Sequence, residues 1–232
     1  MNSLVRVLIR PIFTLPILFS EKIIDTFYPP VNFYDNVDPG KLQLLKENFP
    51  AIKKEVIDYV NGFNLKNFED IIPGNDNIPS AKGVWKTAPL RAFNRYFEKP
   101  LNHCPVLYKT LKQIDNLRLI SISKLAPQSS IKPHEGAFGG FMRAHLAIKI
   151  PEGDTAIIVG GERREWREGE FLFFNDRKLH TAYNNTTEDR IIFLMDVERP
   201  LPFPLNFINN IVVWMISVSP FFRQIIKNAD AD

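Results

Sequence analysis

The sequence predicts a mainly β protein, a sandwich or jelly roll, with helices before and after the strands. Short runs rich in β-branched and aromatic residues recur in the middle of the chain: Leu117–Leu125, Met142–Ile150, Thr155–Gly160, Phe171–Phe174 and Arg190–Val197. Turn signals such as Gly139-Gly140, Gly153-Asp154 and Gly160-Gly161 separate these runs, a pattern typical of antiparallel strands in two packed sheets. The flanking segments instead carry apolar residues at helical spacing.

The segment before Leu117 is predicted to be helix and loop. Helices begin at Asp38-Pro39 and at Pro50, with apolar residues at helical spacing behind each: Leu42, Leu45 and Phe49, then Ile52, Val56, Tyr59 and Val60, with Gly62 as a stop. Ile71–Pro89 is rich in proline, glycine and asparagine, so we expect a loop there. Pro105–Ile114 is expected to form a short helix, and helix returns after Pro200, Pro202 and Pro204.

Composition and charge exclude several classes of protein. The 232 residues are 45% hydrophobic and 24% charged, as in an ordinary globular protein. A net charge of +3, without a block of basic residues, does not indicate a nucleic-acid partner. Cys104 is the single cysteine, so neither an intrachain disulfide nor a zinc-binding cysteine pair can form. We expect a small buried thiol in a cytoplasmic protein.

Both ends of the chain are apolar. Leu4–Phe19 is interrupted by charged residues and prolines, which argues against a signal peptide and a membrane span. Phe207–Phe222 is more apolar but is short for a span. The ends either pack on the core or make peripheral membrane contact. The residues for such contact are Phe13, Leu15, Ile17, Leu18, Trp214 and Phe221, flanked by Arg6, Arg10, Arg223 and Lys227.

Two of the four histidines form a candidate metal site. His134 and His180 lie on different predicted β elements, which can face each other across the mouth of a closed barrel. Neutral imidazoles suit iron(II), and non-haem oxygenases usually combine two of them with one carboxylate. The alternative is that each histidine is structural, and this is our interpretation of His103.

Charged side chains are also expected inside the barrel. Arg190 begins an otherwise apolar strand, where a guanidinium is costly without an anionic partner. A dicarboxylate would supply that partner through bidentate hydrogen bonds. Arg143 and His145 are two residues apart on one strand, so they share one face, while Ala144 and Leu146 line the other.

These residues belong to a longer pattern. It comprises Trp85, His134-Glu135-Gly136, Arg143-Ala144-His145-Leu146, Pro151, Trp166, Glu168-Gly169-Glu170, Phe174-Asn175-Asp176, His180, Asn184, Arg190 and Asp196-Val197. In order and spacing, the pattern resembles the aspartyl/asparaginyl β-hydroxylase family over roughly Gly83 to Pro200. The resemblance implies a double-stranded β-helix, or jelly roll, and a dioxygenase that uses Fe(II), 2-oxoglutarate and dioxygen. We accordingly divide the chain into an N-terminal helical extension (1–82), a jelly-roll domain (83–200) and a C-terminal helical tail (201–232).

The resemblance also implies roles for individual residues. His134 and His180 are similar to the iron ligands, and Arg190 and Ser123 to the pair that holds the distal carboxylate of 2-oxoglutarate. His145 resembles a contact to the metal-side carboxylate of that cosubstrate, and Arg143 an arginine that binds substrate or cosubstrate. Gly136 stands where the usual triad has a carboxylate, a gap that the family shares. Either water or chloride fills such a gap, and the resemblance to hydroxylases favours water.

The expected function is hydroxylation of a C–H bond. The family resemblance implies an Asp or Asn side chain of a peptide or protein as the substrate, or a free amino acid or other small molecule. The stretch Asp196–Pro200 and the apolar ends also resemble the bacterial lipid A hydroxylase branch, which implies a fatty-acyl substrate at the membrane surface. A non-catalytic, cupin-like binding module is the alternative from another class, and the intact His134, His180 and Arg190 argue against it.

Overall fold

The computed structural model describes Ile24 and residues 31–72, 81–136 and 138–231, whose strands form two antiparallel sheets. In chain order the strands are β1 (Lys66–Asn67), β2 (Ala81–Lys82), β3 (Trp85–Ala92), β4 (Arg95–Tyr96), β5 (Leu117–Leu125), β6 (Ser129–His134), β7 (Phe141–Lys149), β8 (Thr155–Val159), β9 (Glu162–Arg164), β10 (Phe171–Phe174), β11 (His180–Asn184) and β12 (Arg190–Glu198). The larger sheet has the order β1-β3-β5-β12-β7-β10, with β4 paired to β3, and the smaller has the order β2-β6-β11-β8-β9.

The strands β5 to β12 give the fold its class. In the larger sheet β5 pairs with β12 and β7 with β10, and in the smaller sheet β6 pairs with β11 and β8 with β9. The first strand of this set therefore pairs with the last, the second with the seventh, and so on inward. Such nested antiparallel pairing across two sheets is a jelly roll, and the predicted fold class is confirmed.

Helices flank this β core in sequence. After a 3-10 turn at Gly40–Leu42, they are α1 (Gln43–Glu47), α2 (Phe49–Gly62), α3 (Phe68–Ile71), α4 (Glu98–Leu101), α5 (Pro105–Leu111), α6 (Leu205–Ser217) and α7 (Pro220–Asp230). Helix α2 buries Ile52, Val56 and Val60 and ends at Gly62. These observations confirm the helix predicted from Pro50, and those predicted from Pro105 and after the C-terminal prolines are also present.

Two hydrophobic clusters lie on opposite faces of the larger sheet. One packs the sheet against the N-terminal helices and includes Leu45, Ile52 and Leu146. The other lies between the two sheets and includes Ala147 and Ile192. Because successive side chains of a strand point to opposite faces, β7 sends Leu146 to the helices and Ala147 into the barrel. His145, which alternates with Leu146, shares the barrel face, as its position in the sequence predicts.

The predicted loop over Ile71–Pro89 is wrong at its C-terminal end, and its residues 73–80 lie outside the described part. Strand β3 begins at Trp85 and continues to Ala92. Proline is compatible with this strand because the register shifts between Pro89 and Arg91, and a β-bulge tolerates a residue without an N–H group. The short β1 and β2 also join the sheets before residue 83.

The two ends of the chain differ in how much can be described. The predictions for Leu4–Phe19, including Arg6, Arg10, Phe13 and the apolar residues after it, lie outside the described residues. Among the helices that are described, none is by itself long and apolar enough to cross a bilayer. Helices α6 and α7 meet the length and composition criteria only as a pair, which is bent by 55° at the break between them.

Candidate active site

The two candidate metal ligands face each other on neighbouring strands. His134 ends β6, His180 begins β11, and the two are direct partners in the antiparallel register. Their ring centroids are 4.1 Å apart, with 52° between the ring planes. The sheet therefore brings together the two histidines that the sequence analysis paired.

Hydrogen bonds determine which ring nitrogen of each histidine is available. His134 Nδ1 lies 2.9 Å from the carbonyl oxygen of Lys132, and His180 Nδ1 lies 2.9 Å from that of Lys178. A carbonyl oxygen can only accept, so each Nδ1 carries a hydrogen. In a neutral imidazole this leaves the Nε2 lone pair free to bind a metal.

Burial keeps this histidine pair neutral. Burial, with a smaller contribution from the neighbouring His180, lowers the pKa of His134 to about 3. The pKa of His180 is also below its ordinary value, mainly because of burial. Neutral imidazole is the form that binds a metal, so both rings meet this chemical requirement.

Gly136 has no room for a side chain because the Asp176 carboxylate occupies the space. A Cβ atom on Gly136 would lie 2.2 Å from Asp176 Oδ2 and 2.4 Å from Asp176 Cγ. The two residues are also joined by a hydrogen bond of 2.6 Å from the Gly136 N–H to the Asp176 carbonyl oxygen. Within the described ranges, no group of three or more His, Cys, Asp or Glu residues is arranged to hold a metal ion. The candidate metal ligands at this site are therefore the two histidines alone.

Arg143 lies between two largely buried carboxylates. Its Nη2 atom is 2.9 Å from Asp176 Oδ2, and its Nε atom is 2.9 Å from Asp196 Oδ1 on the adjacent strand. Burial raises the pKa of Asp196 to about 6, and Arg143 opposes that rise. Arg143 therefore positions the Asp176 carboxylate beside Gly136, while its predicted contact with substrate or cosubstrate stays a prediction.

Arg190 is a buried cation without an ion-pair partner in the described part of the chain. The residue is 1% exposed, and its Nε and Nη1 atoms have no hydrogen-bond partner among the described residues. The guanidinium lies over the Trp166 ring, 4.9 Å from the ring centroid. Burial lowers the pKa of Arg190 to about 9. A buried guanidinium is energetically costly, and an anion that accepts hydrogen bonds from its N–H groups would offset that cost.

Two indole N–H groups orient His145 and Ser123 so that each of these residues can donate a hydrogen bond to such an anion. Trp166 Nε1 donates to His145 Nδ1 at 3.2 Å, so a neutral His145 carries its hydrogen on Nε2 and can donate from there. Burial and the nearby Arg190 hold the pKa of His145 well below its usual range. Trp85 Nε1 donates to Ser123 Oγ at 3.0 Å, which leaves the Ser123 hydroxyl hydrogen free to donate.

The histidine pair and the candidate anion-binding residues Arg190, Ser123 and His145 share the barrel interior. The Phe174 ring lies between them, with its centroid 4.9 Å from that of His145 and 5.4 Å from that of His180. Ser123 is directly opposite Ile192, two residues along β12 from Arg190, so Ser123 and Arg190 point to the same face.

Sequence reasoning did not predict the roles of the two tryptophans. Trp85 and Trp166 were recognised only as parts of the resemblance, since nothing in the chain pairs either one with Ser123 or His145. Asp176 was likewise named only as part of that pattern, and the structure places its carboxylate in contact with Arg143 and against Gly136.

The chain is similar in sequence to several known hydroxylases. Residues 46–200 match the aspartyl/asparaginyl beta-hydroxylase family. The ornithine lipid ester-linked acyl 2-hydroxylase of Rhizobium tropici is 29% identical over 203 residues, which cover 86% of this chain and 71% of that protein. Aspartate beta-hydroxylase domain-containing protein 2 of Xenopus tropicalis is 31% identical over 172 residues, which cover 68% of this chain and 44% of that protein. The aspartyl/asparaginyl beta-hydroxylase of Mus musculus is 27% identical over 164 residues, which cover 67% of this chain and 21% of that protein. The chain thus spans less than half the length of the last two relatives.

Similar solved structures share little sequence with this chain. The viral collagen prolyl hydroxylase of Paramecium bursaria Chlorella virus-1, in its complex with 2OG, superposes with a TM-score of 0.37 and 13% identity, covering 62% of this chain and 90% of that one. A cupin 2 conserved barrel domain protein of Salinispora arenicola superposes with a TM-score of 0.34 and 12% identity, covering 66% of this chain and 97% of that one.

Proposed function

Because the chain belongs to the aspartyl/asparaginyl β-hydroxylase family, we propose that it is an iron(II)- and 2-oxoglutarate-dependent dioxygenase that hydroxylates a C–H bond of a lipid acyl chain. The observation that carries the chemistry is the buried Arg190 cation, which has no ion-pair partner among the described residues and lies in the same barrel interior as the facing rings of His134 and His180. When bound, iron(II), 2-oxoglutarate and dioxygen supply the oxidation, in which the cosubstrate becomes succinate and carbon dioxide while one oxygen atom enters the substrate.

The histidine pair has the chemistry of a two-imidazole iron site. The backbone carbonyls of Lys132 and Lys178 fix the Nδ1–H tautomer of His134 and His180, so that both Nε2 atoms are available as ligands. Burial keeps the rings neutral at physiological pH. These residues would hold the metal without losing protons, since neither imidazole must be deprotonated first.

Arg190, Ser123 and His145 have the chemistry of a carboxylate site. The guanidinium supplies charge and N–H donors, the Ser123 hydroxyl supplies one O–H, and the His145 Nε2 supplies one N–H. A dianionic cosubstrate would offset the cost of burying Arg190, and the exclusion of water strengthens each of these interactions. The protein's part is therefore to bind and orient the cosubstrate beside the histidine pair.

Asp176 bears on whether water or chloride completes the metal shell. Its carboxylate fills the space beside Gly136 and is held there by Arg143. A carboxylate in a buried site accepts hydrogen bonds from water and repels a second anion. We therefore favour water at the open position, and with it hydroxylation rather than halogenation.

The extent of the alignments supports an acyl chain as the substrate. The alignment with the ornithine lipid acyl 2-hydroxylase runs over 203 residues, which is longer than the segment 46–200 that matches the family. It covers 86% of this chain and so extends well outside the family domain, whereas the aspartate beta-hydroxylase relatives cover 67% and 68% of this chain, little more than that domain.

The second candidate is hydroxylation of an Asp or Asn side chain. The family description and several of the relatives named for aspartate hydroxylation favour it. It requires the same iron and cosubstrate residues and differs only in the group that approaches His134 and His180.

One experiment separates these candidates. The protein is loaded with iron(II) under anaerobic conditions and supplied with 2-oxoglutarate, dioxygen and one of three additions: ornithine-lipid vesicles, a set of Asp- and Asn-containing peptides, or nothing. Succinate is quantified, and each candidate substrate is weighed by mass spectrometry for the gain of one oxygen atom. His180→Ala serves as the inactive control.

We expect succinate formation together with an added oxygen on the lipid acyl chain. Oxygen gained only by a peptide would transfer the proposal to the second candidate. Binding of 2-oxoglutarate without succinate formation under every condition would contradict the dioxygenase and favour a cupin-like binding module.

A further inference from the structure

Helix α6 carries an exposed apolar stripe. Phe203, Phe207, Ile211, Trp214 and Val218 recur at intervals of three and four residues, so they share one face of the helix and of the turn before it. Phe203 is 82% exposed, Trp214 63% and Phe207 61%. A surface helix of a globular protein normally presents polar residues on its outer face, so this stripe is unusual.

The stripe lies in a segment without charges. From residue 201 to residue 222 the chain has no Asp, Glu, Lys or Arg. The first charged residue after it is Arg223, and Arg223 and Lys227 are both exposed on α7. Apolar and aromatic residues followed by cations match the layered chemistry of a membrane surface, where aromatic rings sit at the headgroup level and Lys or Arg meet anionic lipids.

We propose that this stripe docks the protein on the surface of a bilayer that contains anionic lipid. Helix α6 has 13 residues, which at about 1.5 Å per residue makes it roughly 20 Å long, too short for the roughly 30 Å hydrocarbon layer. The helix therefore lies in the interface plane, with the stripe buried in the headgroup region and its other face on the protein.

The inner face of α6 connects this surface to the candidate active site. Val212 and Val213 pack on Phe138, and Asn209 Nδ2 donates to the Gly140 carbonyl oxygen at 3.3 Å. Phe138 follows Gly136 closely in the chain, so α6 rests on the segment next to the histidine pair. The docked face is one helix diameter, roughly 10 Å, from this segment. The inference deepens the proposed function and rests on it only for the identity of the substrate.

The three tryptophans of the chain provide a direct assay. Trp214 is exposed, whereas Trp85 and Trp166 are 6% and 4% exposed. The full chain is titrated with vesicles of phosphatidylcholine alone or mixed with phosphatidylglycerol, while tryptophan emission and co-sedimentation are recorded. We expect a blue shift of Trp214 emission, quenching by brominated lipid, and tighter binding to the anionic vesicles.

A variant and a matched control test the stripe itself. Phe207→Ser combined with Ile211→Ser keeps Trp214 and should weaken vesicle binding at least about tenfold, because two apolar side chains no longer enter the bilayer. Phe63→Ser removes another exposed phenylalanine, 44% exposed at the end of α2 and outside the stripe, and should bind vesicles like the unaltered chain. Equal binding by all three proteins would show that the stripe is not the docking surface.

The remaining outcomes separate this inference from the proposed function. Absence of both the blue shift and co-sedimentation would overturn the docking surface, as would a dimer in lipid-free solution that Phe207→Ser with Ile211→Ser converts to monomer. Hydroxylation of a dispersed short-chain lipid without vesicle binding would remove the docking surface and leave the enzyme. Vesicle binding without hydroxylation of any lipid would support the docking surface and remove the lipid substrate.

Discussion

Replacement of Gly136 by alanine is the sharpest test of the site geometry. The backbone at Gly136 does not have a positive φ, so the glycine is not required by the backbone conformation. It is required because a Cβ would lie 2.2 Å from Asp176 Oδ2, whereas ordinary contact begins near 3.4 Å. Either the Asp176 carboxylate or the backbone at Gly136 must therefore move by about 1 Å or more to relieve this overlap.

The structure sets the size of the effect. Movement of the carboxylate disrupts its contact of 2.9 Å with Arg143 Nη2, in a pair whose side chains are only 22% and 8% exposed. A charge-assisted hydrogen bond contributes about 1.5–3 kcal/mol. Arg143 keeps its contact with Asp196, so we expect Gly136→Ala to lower the free energy of unfolding by that amount and no more. Iron binding should persist because both histidines are intact, and 2-oxoglutarate turnover should fall.

A double-mutant cycle identifies the cause. The free energy of unfolding is measured by denaturant titration for Gly136→Ala, Asp176→Ala and the combination, with iron content and succinate formation recorded in parallel. In the Asp176→Ala background, Gly136→Ala should cost less than about 0.5 kcal/mol, because the obstructing carboxylate is gone. Gly62→Ala is the control, since a Cβ there has no neighbour within 4 Å.

Two results would refute this reasoning. One is an equal cost of Gly136→Ala with and without the Asp176 carboxylate, which would mean that the overlap is relieved elsewhere. The other is Gly136→Asp with higher hydroxylation than the unaltered chain. A second carboxylate is expected to crowd the site and retain iron at reduced turnover, so a gain would mean that the two-histidine site is a damaged triad.

Four further predictions follow from the site and the core. His134→Ala or His180→Ala should abolish iron binding by metal analysis and all succinate formation, and full activity in either variant would contradict the ligand assignment. Arg190→Ala should weaken 2-oxoglutarate binding by about ten- to a hundredfold in calorimetric titration while iron content is unchanged. Trp166→Phe keeps a ring under the guanidinium but loses its indole hydrogen bond, so 2-oxoglutarate affinity should fall by less than in Arg190→Ala, and unchanged affinity would show that the hydrogen bond is not needed. Burial raises the pKa of the Cys104 thiol from 9.0 to about 12, so the folded protein should not react with Ellman's reagent. Its unfolding free energy should also fall as pH rises from 9 towards 12, because the unfolded thiol ionises first.

The predictions from apolar runs succeeded for strands with mostly buried residues, including those in the larger sheet and β8 in the smaller one. β5 and β12 lie side by side in the larger sheet, and their runs begin and end within a residue of the prediction. β6 and β11, which carry His134 and His180, are absent from those runs. They belong to the smaller sheet and expose polar residues such as Lys132, so their strand character depends on pairing with each other, which local composition does not reveal.

The apolar C-terminal segment is a second case in which local composition does not reveal tertiary packing. Helical spacing in the sequence indicates that α6 has two faces, and both are apolar. Tertiary packing decides which one is covered, because Val212 and Val213 meet Phe138 while Trp214 and Phe207 remain exposed. The membrane contact expected at Trp214 is therefore retained as a proposal with a defined surface, whereas the contact expected from Phe13 lies outside the described residues.

By itself the sequence determined the kinds of group available to the site. These are two histidines, a glycine at the position where the usual triad has a carboxylate, and an arginine at the start of an apolar strand. The tertiary structure alone decided what each group can do. The imidazoles of His134 and His180 donate to backbone carbonyls two residues earlier, whereas His145 accepts from an indole 21 residues away. That difference leaves a lone pair on Nε2 of His134 and His180 but a hydrogen on Nε2 of His145. It depends on strand register and side-chain packing, since neither the residue type nor its neighbours in the chain specify which ring nitrogen carries the hydrogen.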